Sequence, residues 1–240
     1  MATNHNNVKH IDNDNNDEKT IDRELEFKNR IKYKEYRFKL VIVGTFGVGK
    51  TSLMIQHFDR QFTADPKTTV GVDFRQRKFH LNSASVILEV WDTAGEEKYS
   101  NIVQIYYRGA HAVVAVYDIR KRSTYTRALQ YIKEINNQAV PPLVIVLVGN
   151  KQDLSSEREV DYESTLKYAS ARNLIFMETS AKCNSNVDQL FESVAERLVE
   201  ECVRRKYESD LRKKLQLESH SIRQSSTPAI DRRNSCCSTS

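Results

Sequence analysis

The segment GTFGVGKT at 44–51 fits the pattern GxxxxGK[ST], and its flanks restrict what can surround it. Ahead of it, Phe38 to Val43 is short, mostly apolar and β-branched, the composition of a strand. Behind it, Leu53, Ile55 and Phe58 suit a helix over 51–58. A chain that passes from strand to helix through such a loop can turn successive amides inward, because Gly44, Gly47 and Gly49 permit conformations that a Cβ penalises. The helix dipole adds partial positive charge at the same place. The expectation is a phosphate cradle built from Gly47, Val48, Gly49, Lys50, Thr51 and Ser52. Lys50 would reach the β- and γ-phosphates, and the Thr51 hydroxyl would face Mg²⁺. ATP and GTP satisfy this loop equally.

NKQD at 150–153 separates the two bases. It follows Leu143 to Val148, an apolar run that reads as a buried parallel strand, and open α/β sheets bind ligands at the carboxyl ends of such strands. A carboxylate only accepts hydrogen bonds, so Asp153 matches a guanine edge with two N–H donors and mismatches adenine. Lys151 can lay its stem over the base, and Asn150 can tie this loop to the phosphate loop. ETSAK at 178–182 follows another apolar stretch, Leu174 to Met177. It brings Ser180, Ala181 and Lys182 to the same side, with the Ala181 amide toward guanine O6. After the strand Val86 to Val90 comes WDTAG at 91–95. Asp92 is placed there to hold Mg²⁺ through water and the Gly95 amide to approach a γ-phosphate.

GTFGVGKT, TTVGVDF, WDTAGEEKY, YYRGA, NKQD and ETSAK, in this order and spacing, resemble the Ras superfamily of small GTPases, and TVGVDF with YYRGA resembles its Rab branch. The resemblance covers approximately residues 37 to 205. It implies an α/β P-loop NTPase fold of the small G-domain type: a mostly parallel six-stranded sheet with one antiparallel edge strand and helices on both faces. It implies hydrolysis of GTP to GDP and phosphate, with Lys50, Gly95 and Glu96 at the reaction, and a Mg²⁺ ion held by Thr51, Thr69 and Asp92. Thr69 would bind the ion by its hydroxyl and the γ-phosphate by its amide, and Phe62 would stand against the guanine. Val70, Gly71, Val72, Asp73, Phe74, Trp91, Tyr106 and Tyr107 would form the surface that effectors read in the GTP state. Exchange factors, GTPase-activating proteins, a GDP-dissociation inhibitor and prenylation enzymes are partners by the same resemblance.

The elements agree with an alternating α/β layout. Helical patterns cover Thr124 to Gln138, Asp161 to Ala171 and Val187 to about Lys206, the last with Ser185 and Asp188 spaced as a capping box. Asp73 to Leu81 and Val86 to Val90, separated by Asn82 to Ser85, read as an antiparallel hairpin. With 240 residues, one domain with two tails fits better than two domains. Residues 1–36 form a polar extension rich in Asn and Asp, 37–205 the GTPase domain, and 206–240 a flexible basic tail. A net charge of +5 without a basic stripe interleaved with aromatics argues against nucleic acid. No apolar run approaches the roughly 20 residues that span a bilayer, and none follows Met1. Four cysteines without framework spacing indicate a reducing compartment.

Cys236 and Cys237 close the basic tail three residues from its end and resemble the double-cysteine geranylgeranylation signal of Rab proteins. The alternative is CaaX-type prenylation at Cys237, for which Ser and Thr are poor aliphatic substitutes. Two lipid chains give stable anchoring where one is marginal. The expected location is the cytoplasmic face of endomembranes, in exchange with cytosol. Two positions depart from the family. Glu96 stands where a glutamine usually orients the attacking water, and Phe46 stands in the phosphate loop where Rab proteins usually carry a small residue. Both point toward slow intrinsic hydrolysis; the opposing reading makes Glu96 a base and turns the Phe46 ring outward.

Overall fold

The computed structural model describes residues 34–64, 72–81, 84–93, 108–137 and 144–225, with the side chains of 214–225 outside the description. Strands β1 (Lys34–Val43), β2 (Val72–His80), β3 (Ala84–Thr93), β4 (Ala112–Asp118), β5 (Val144–Asn150) and β6 (Ile175–Glu178) form one sheet in the order β2-β3-β1-β4-β5-β6. Only β2 runs antiparallel, paired with β3; every other neighbour is parallel. Helices α1 (Lys50–Asp59), α2 (Arg122–Asn136), α3 (Tyr162–Ser170) and α4 (Val187–Ser225) are the connections and the C-terminal element.

The parity of the central strands explains why helices cover both faces. Leu40 and Ile42 of β1, Val114 and Val116 of β4, and Val146 and Val148 of β5 point to one side. There they meet Leu53 and Met54 of α1 and Leu190, Phe191, Val194 and Leu198 of α4. The alternate residues Val41, Val43, Val113, Ala115 and Leu147 point to the other, against Ala128, Ile132 and Ile135 of α2. A strand apolar at every position can only be satisfied by burial on both sides. Each large side chain so buried contributes about 1.5–3 kcal/mol.

β1 begins at Lys34, four residues before its apolar run. These polar residues pair with Ala84 to Ile87 of β3, and their charges meet others across the sheet: Lys78 with Glu35 at 2.5 Å and Arg37 with Glu89 at 2.7 Å. The expected capping box at the start of α4 is not formed. The Asp188 carboxylate instead accepts from His57 Nδ1 at 2.8 Å and Arg60 Nη1 at 2.5 Å, while Ser185 Oγ donates to Gln152 Oε1 at 3.2 Å. Ser185 itself pairs with Ser180 through two backbone bonds, so it lies before the helix turn that opens with Leu190 N to Asn186 O. α4 continues past residue 205 to Ser225, helped by pairs of Arg204 with Glu201 and Glu208 at helical spacing. Among the described residues no helix is long and apolar enough to cross a membrane.

Candidate functional site

The carboxyl ends of β1, β3, β4 and β5 converge, and the loops leaving them carry the polar residues that the sequence singles out. Gly44 follows β1 so tightly that a Cβ there would meet the Val116 carbonyl at 2.5 Å. Gly49, the residue before α1, has φ +96 and lies against Asn150, whose Nδ2 would be 2.3 Å from an added Cβ. Glycine is therefore required at both positions, at Gly44 for the loop to approach the β4 backbone and at Gly49 for it to approach the Asn150 side chain. Lys50, buried, curls its amine back over the loop to the carbonyls of Gly44 (2.9 Å) and Thr45 (3.2 Å). Phe46, within the loop, is 66% exposed. Ser52, in the first turn of α1, is half-buried.

Asn150 ends β5 and is the hinge between the two halves of the site. Its Nδ2 donates to the Val48 carbonyl at 2.8 Å, while its Oδ1 accepts from Thr179 Oγ1 (3.2 Å) and the Ala181 amide (3.3 Å). One buried amide thus joins the phosphate loop, the NKQD turn and the loop after β6. Lys151 has φ +70, a left-handed conformation, and its amine reaches the Gly47 carbonyl at 2.6 Å. Asp153 is exposed, with one oxygen accepting from Ser180 Oγ at 2.6 Å. Ala181 is buried and Lys182 exposed beside it. Phe62, beyond the end of α1, is 42% exposed.

Asp92 lies near the end of β3, fully buried. Thr51 Oγ1 donates to its Oδ2 at 2.5 Å, and Oδ1 has no hydrogen-bond partner among the described residues. Burial pushes the carboxyl above the ordinary carboxylate range, against the pull of the Thr51 bond and the Lys50 charge. A buried carboxylate oxygen without a partner among the described residues, beside a threonine hydroxyl, is the kind of hard oxygen donor set that suits Mg²⁺. Among the described residues no group of three or more His, Cys, Asp or Glu gathers in one place.

On β2, the register places Phe74 opposite Trp91 and Asp73 opposite Asp92. The rings of Phe74 and Trp91 lie 5.0 Å apart, the Lys39 amine sits 5.1 Å from the Trp91 ring, and Val72 is half-buried next to exposed Asp73. Thr69, Val70, Gly71, Gly95, Glu96, Tyr106, Tyr107, Cys236 and Cys237 lie outside the described residues.

Asp118 is a site residue that motif reading passes over. It ends β4, opposite Asn150 in the ladder, and its buried carboxylate holds Lys151 Nζ at 2.8 Å. Burial opposes its charge, but bonds from Arg120 and Lys151 outweigh that and hold the carboxyl below its usual range. The signal for it is present: an acidic residue terminating the wholly apolar run 112–117. Gln56 of α1 is similarly silent in sequence; with its NH₂ turned toward them it donates to the carbonyls of Ala181 (3.2 Å) and Gln61 (3.0 Å).

Residues 39–200 match the profile of the Ras family. The chain is 42% identical over 165 residues to the Ras-related protein Rab-5A of Dictyostelium discoideum, an overlap covering 69% of this chain and 82% of that protein.

Proposed function

Since the chain belongs to the Rab branch of the Ras family of small GTPases, we propose that it is a membrane-anchored GTP/GDP switch. In this reading it recruits effectors in its GTP state, and its traffic role is that of vesicle transport on the cytoplasmic face of endomembranes. The observation that carries the nucleotide half is the direct bond from Asn150 to the Val48 carbonyl, with Lys151 on the Gly47 carbonyl. Base and phosphate loops joined this way grip one ligand across both of its ends. Asp153 selects guanine, Ser180, Ala181 and Lys182 close over the base, and Phe62 packs at its edge.

Thr51, Thr69 and Asp92 would hold Mg²⁺, which when bound would supply charge neutralisation for the phosphates. Lys50 leaves its two carbonyls to meet the phosphate oxygens, and the Gly95 amide donates to the γ-phosphate. Loss of that phosphate releases the segments carrying Thr69 and Gly95, which is how the switch is read. The reader is the surface of Val70 to Phe74 with Trp91, Tyr106 and Tyr107. Prenylation of Cys236 and Cys237 supplies the anchor, supported by basic residues of the tail that add about 1 kcal/mol each near an anionic leaflet.

Hydrolysis is slow in this proposal. Glu96 cannot donate a hydrogen bond toward the transferring phosphoryl group as a glutamine amide does, and its charge beside a triphosphate costs about 1–4 kcal/mol at roughly 4 Å. Each ~1.4 kcal/mol is tenfold in rate. A second reading, a GTP-binding interaction module with negligible turnover, draws on the exposed Phe46 ring in the phosphate loop, which would obstruct an activating protein's arginine. Single-turnover GTP hydrolysis by Glu96→Gln and Phe46→Ser tests the rate argument: at least one change speeds the reaction, and two unchanged rates refute it. Nucleotide extracted after purification separates the readings, with GDP expected for the switch and GTP for the module. Imaging the tagged chain beside a Cys236→Ser, Cys237→Ser variant tests the anchor, which is wrong if both distribute alike.

A further inference from the structure

Asp118 is a buried carboxylate approached by two cations, and the second has no place in the nucleotide-binding motifs. Arg120 closes a fork on it: Nε lies 3.2 Å from Oδ1 and Nη2 3.0 Å from Oδ2, with the Arg120 backbone amide on Oδ1 at 3.0 Å. Lys151 Nζ shares the same Oδ2 at 2.8 Å. The remaining guanidinium nitrogen, Nη1, reaches Glu157 at 3.2 Å. Glu157 is mostly exposed, and an exposed ion pair of this kind contributes little.

We propose that Arg120 is a positioning residue for the guanine loop: it fixes the Asp118 carboxylate that holds the Lys151 amine against the phosphate loop, and so sets how long a guanine nucleotide stays bound. The inference rests on the guanine-binding reading of NKQD. Its physical basis is that Lys151 is a flexible stem on a left-handed backbone, with its amine defined by two acceptors, the Gly47 carbonyl and Asp118 Oδ2. The carbonyl is fixed by the loop. The carboxylate can rotate about its last torsion, and the planar fork of Arg120 removes that freedom in a way a point charge does not. Without the fork, Lys151 and the turn leading to Asp153 lose one of the two contacts that set their position over the base.

The test is release of N-methylanthraniloyl-GDP from the full-length chain with Mg²⁺, chased with unlabelled GDP. Arg120→Ala releases about tenfold faster than wild type, the effect of one hydrogen bond to a charged group near the lower end of its range. Arg120→Lys falls between the two, and Glu157→Gln stays within about twofold of wild type. In a Lys151→Ala background, adding Arg120→Ala changes the rate by less than about twofold, since the residue through which Arg120 acts is already gone. Arg120→Gln, which keeps the stem and its packing, replaces Arg120→Ala if the latter does not melt cooperatively. The proposal is overturned by a wild-type release rate in the Arg120 variants, by Arg120→Lys releasing as fast as Arg120→Ala, by the same tenfold effect on top of Lys151→Ala, or by Glu157→Gln matching Arg120→Ala. Failure of the wild-type chain to load the labelled GDP sinks the guanine-binding reading itself, a result distinct from all of these.

Discussion

His57 offers a test of the core that is independent of nucleotide chemistry. Its ring is buried between Phe191, 4.1 Å between centroids, and Phe79, 5.9 Å away and nearly parallel. Nδ1 donates to Asp188 at 2.8 Å, which leaves Nε2 unprotonated toward Arg77 Nη1 at 3.4 Å. Burial pushes the imidazole from 6.5 down to about 4, a larger effect than the stabilising bond to Asp188, so the pair is a hydrogen bond to a neutral ring at neutral pH. A histidine depressed on folding adds stability above its unfolded value and loses it as pH falls toward the folded one. The window is therefore 6.5 down to about 4. Integrating proton uptake by the unfolded chain across that window gives a loss of ~2 kcal/mol by about pH 5. Asp188 acts only below its ordinary 3.8: burial pushes it up, but the Arg60 and His57 bonds outweigh that and hold it lower. His111, lowered by burial, slopes the same way in wild type and variant alike. His57→Phe keeps the aromatic stack and leaves Asp188 its Arg60 partner. Urea unfolding followed by Trp91 fluorescence at about pH 7 and about pH 5 compares the two chains. The wild type loses ~2 kcal/mol more than the variant over that interval. Equal losses refute the argument that the ring is held neutral by burial.

Gly49→Ala forces a left-handed φ on an L-residue and drives a Cβ into Asn150 Nδ2. At about 1–3 kcal/mol of strain, labelled-GDP titration reads binding weaker by about fivefold or more. Unchanged affinity contradicts the close approach. Arg158→Met leaves buried Glu178 without the bidentate partner now at 2.5 and 2.7 Å, and urea unfolding reads a loss of about 3 kcal/mol. Adding Glu178→Gln recovers part of it, and no recovery means the loss lies elsewhere. Phe46→Ser, at an exposed ring, shifts stability by less than about 0.5 kcal/mol in thermal melting, so any change it makes in hydrolysis is not a folding effect.

The features legible in sequence are those whose cause is local or periodic. Continuous apolar runs such as Leu143 to Val148 read as strands buried on both faces because nothing else accommodates them. The glycines of 44–49 read as a loop because only they tolerate its backbone. What escaped was decided by residues far apart in the chain. The spacing of Ser185 and Asp188 is that of a capping box, yet the carboxylate goes to His57 in the last turn of α1 and Arg60 just beyond it, where it has two donors instead of one. Asp118 carries no motif, and its importance follows from lying opposite Asn150 in the ladder. The polar start of β1 reads as part of the N-terminal extension because its partners across the sheet, Lys78 and Glu89, are invisible until the register is known.

The bond from Asn150 to Val48 also bears on kinetics. Two loops that already hold each other present a nearly finished cleft, so little ordering entropy is spent when ligand arrives. The same link makes departure a single cooperative event. A push on either loop strains the shared amide, and through it the loop after β6, so that in the proposed reading base and phosphate contacts would loosen together. A regulator that speeds exchange therefore needs a foothold on only one side of the nucleotide.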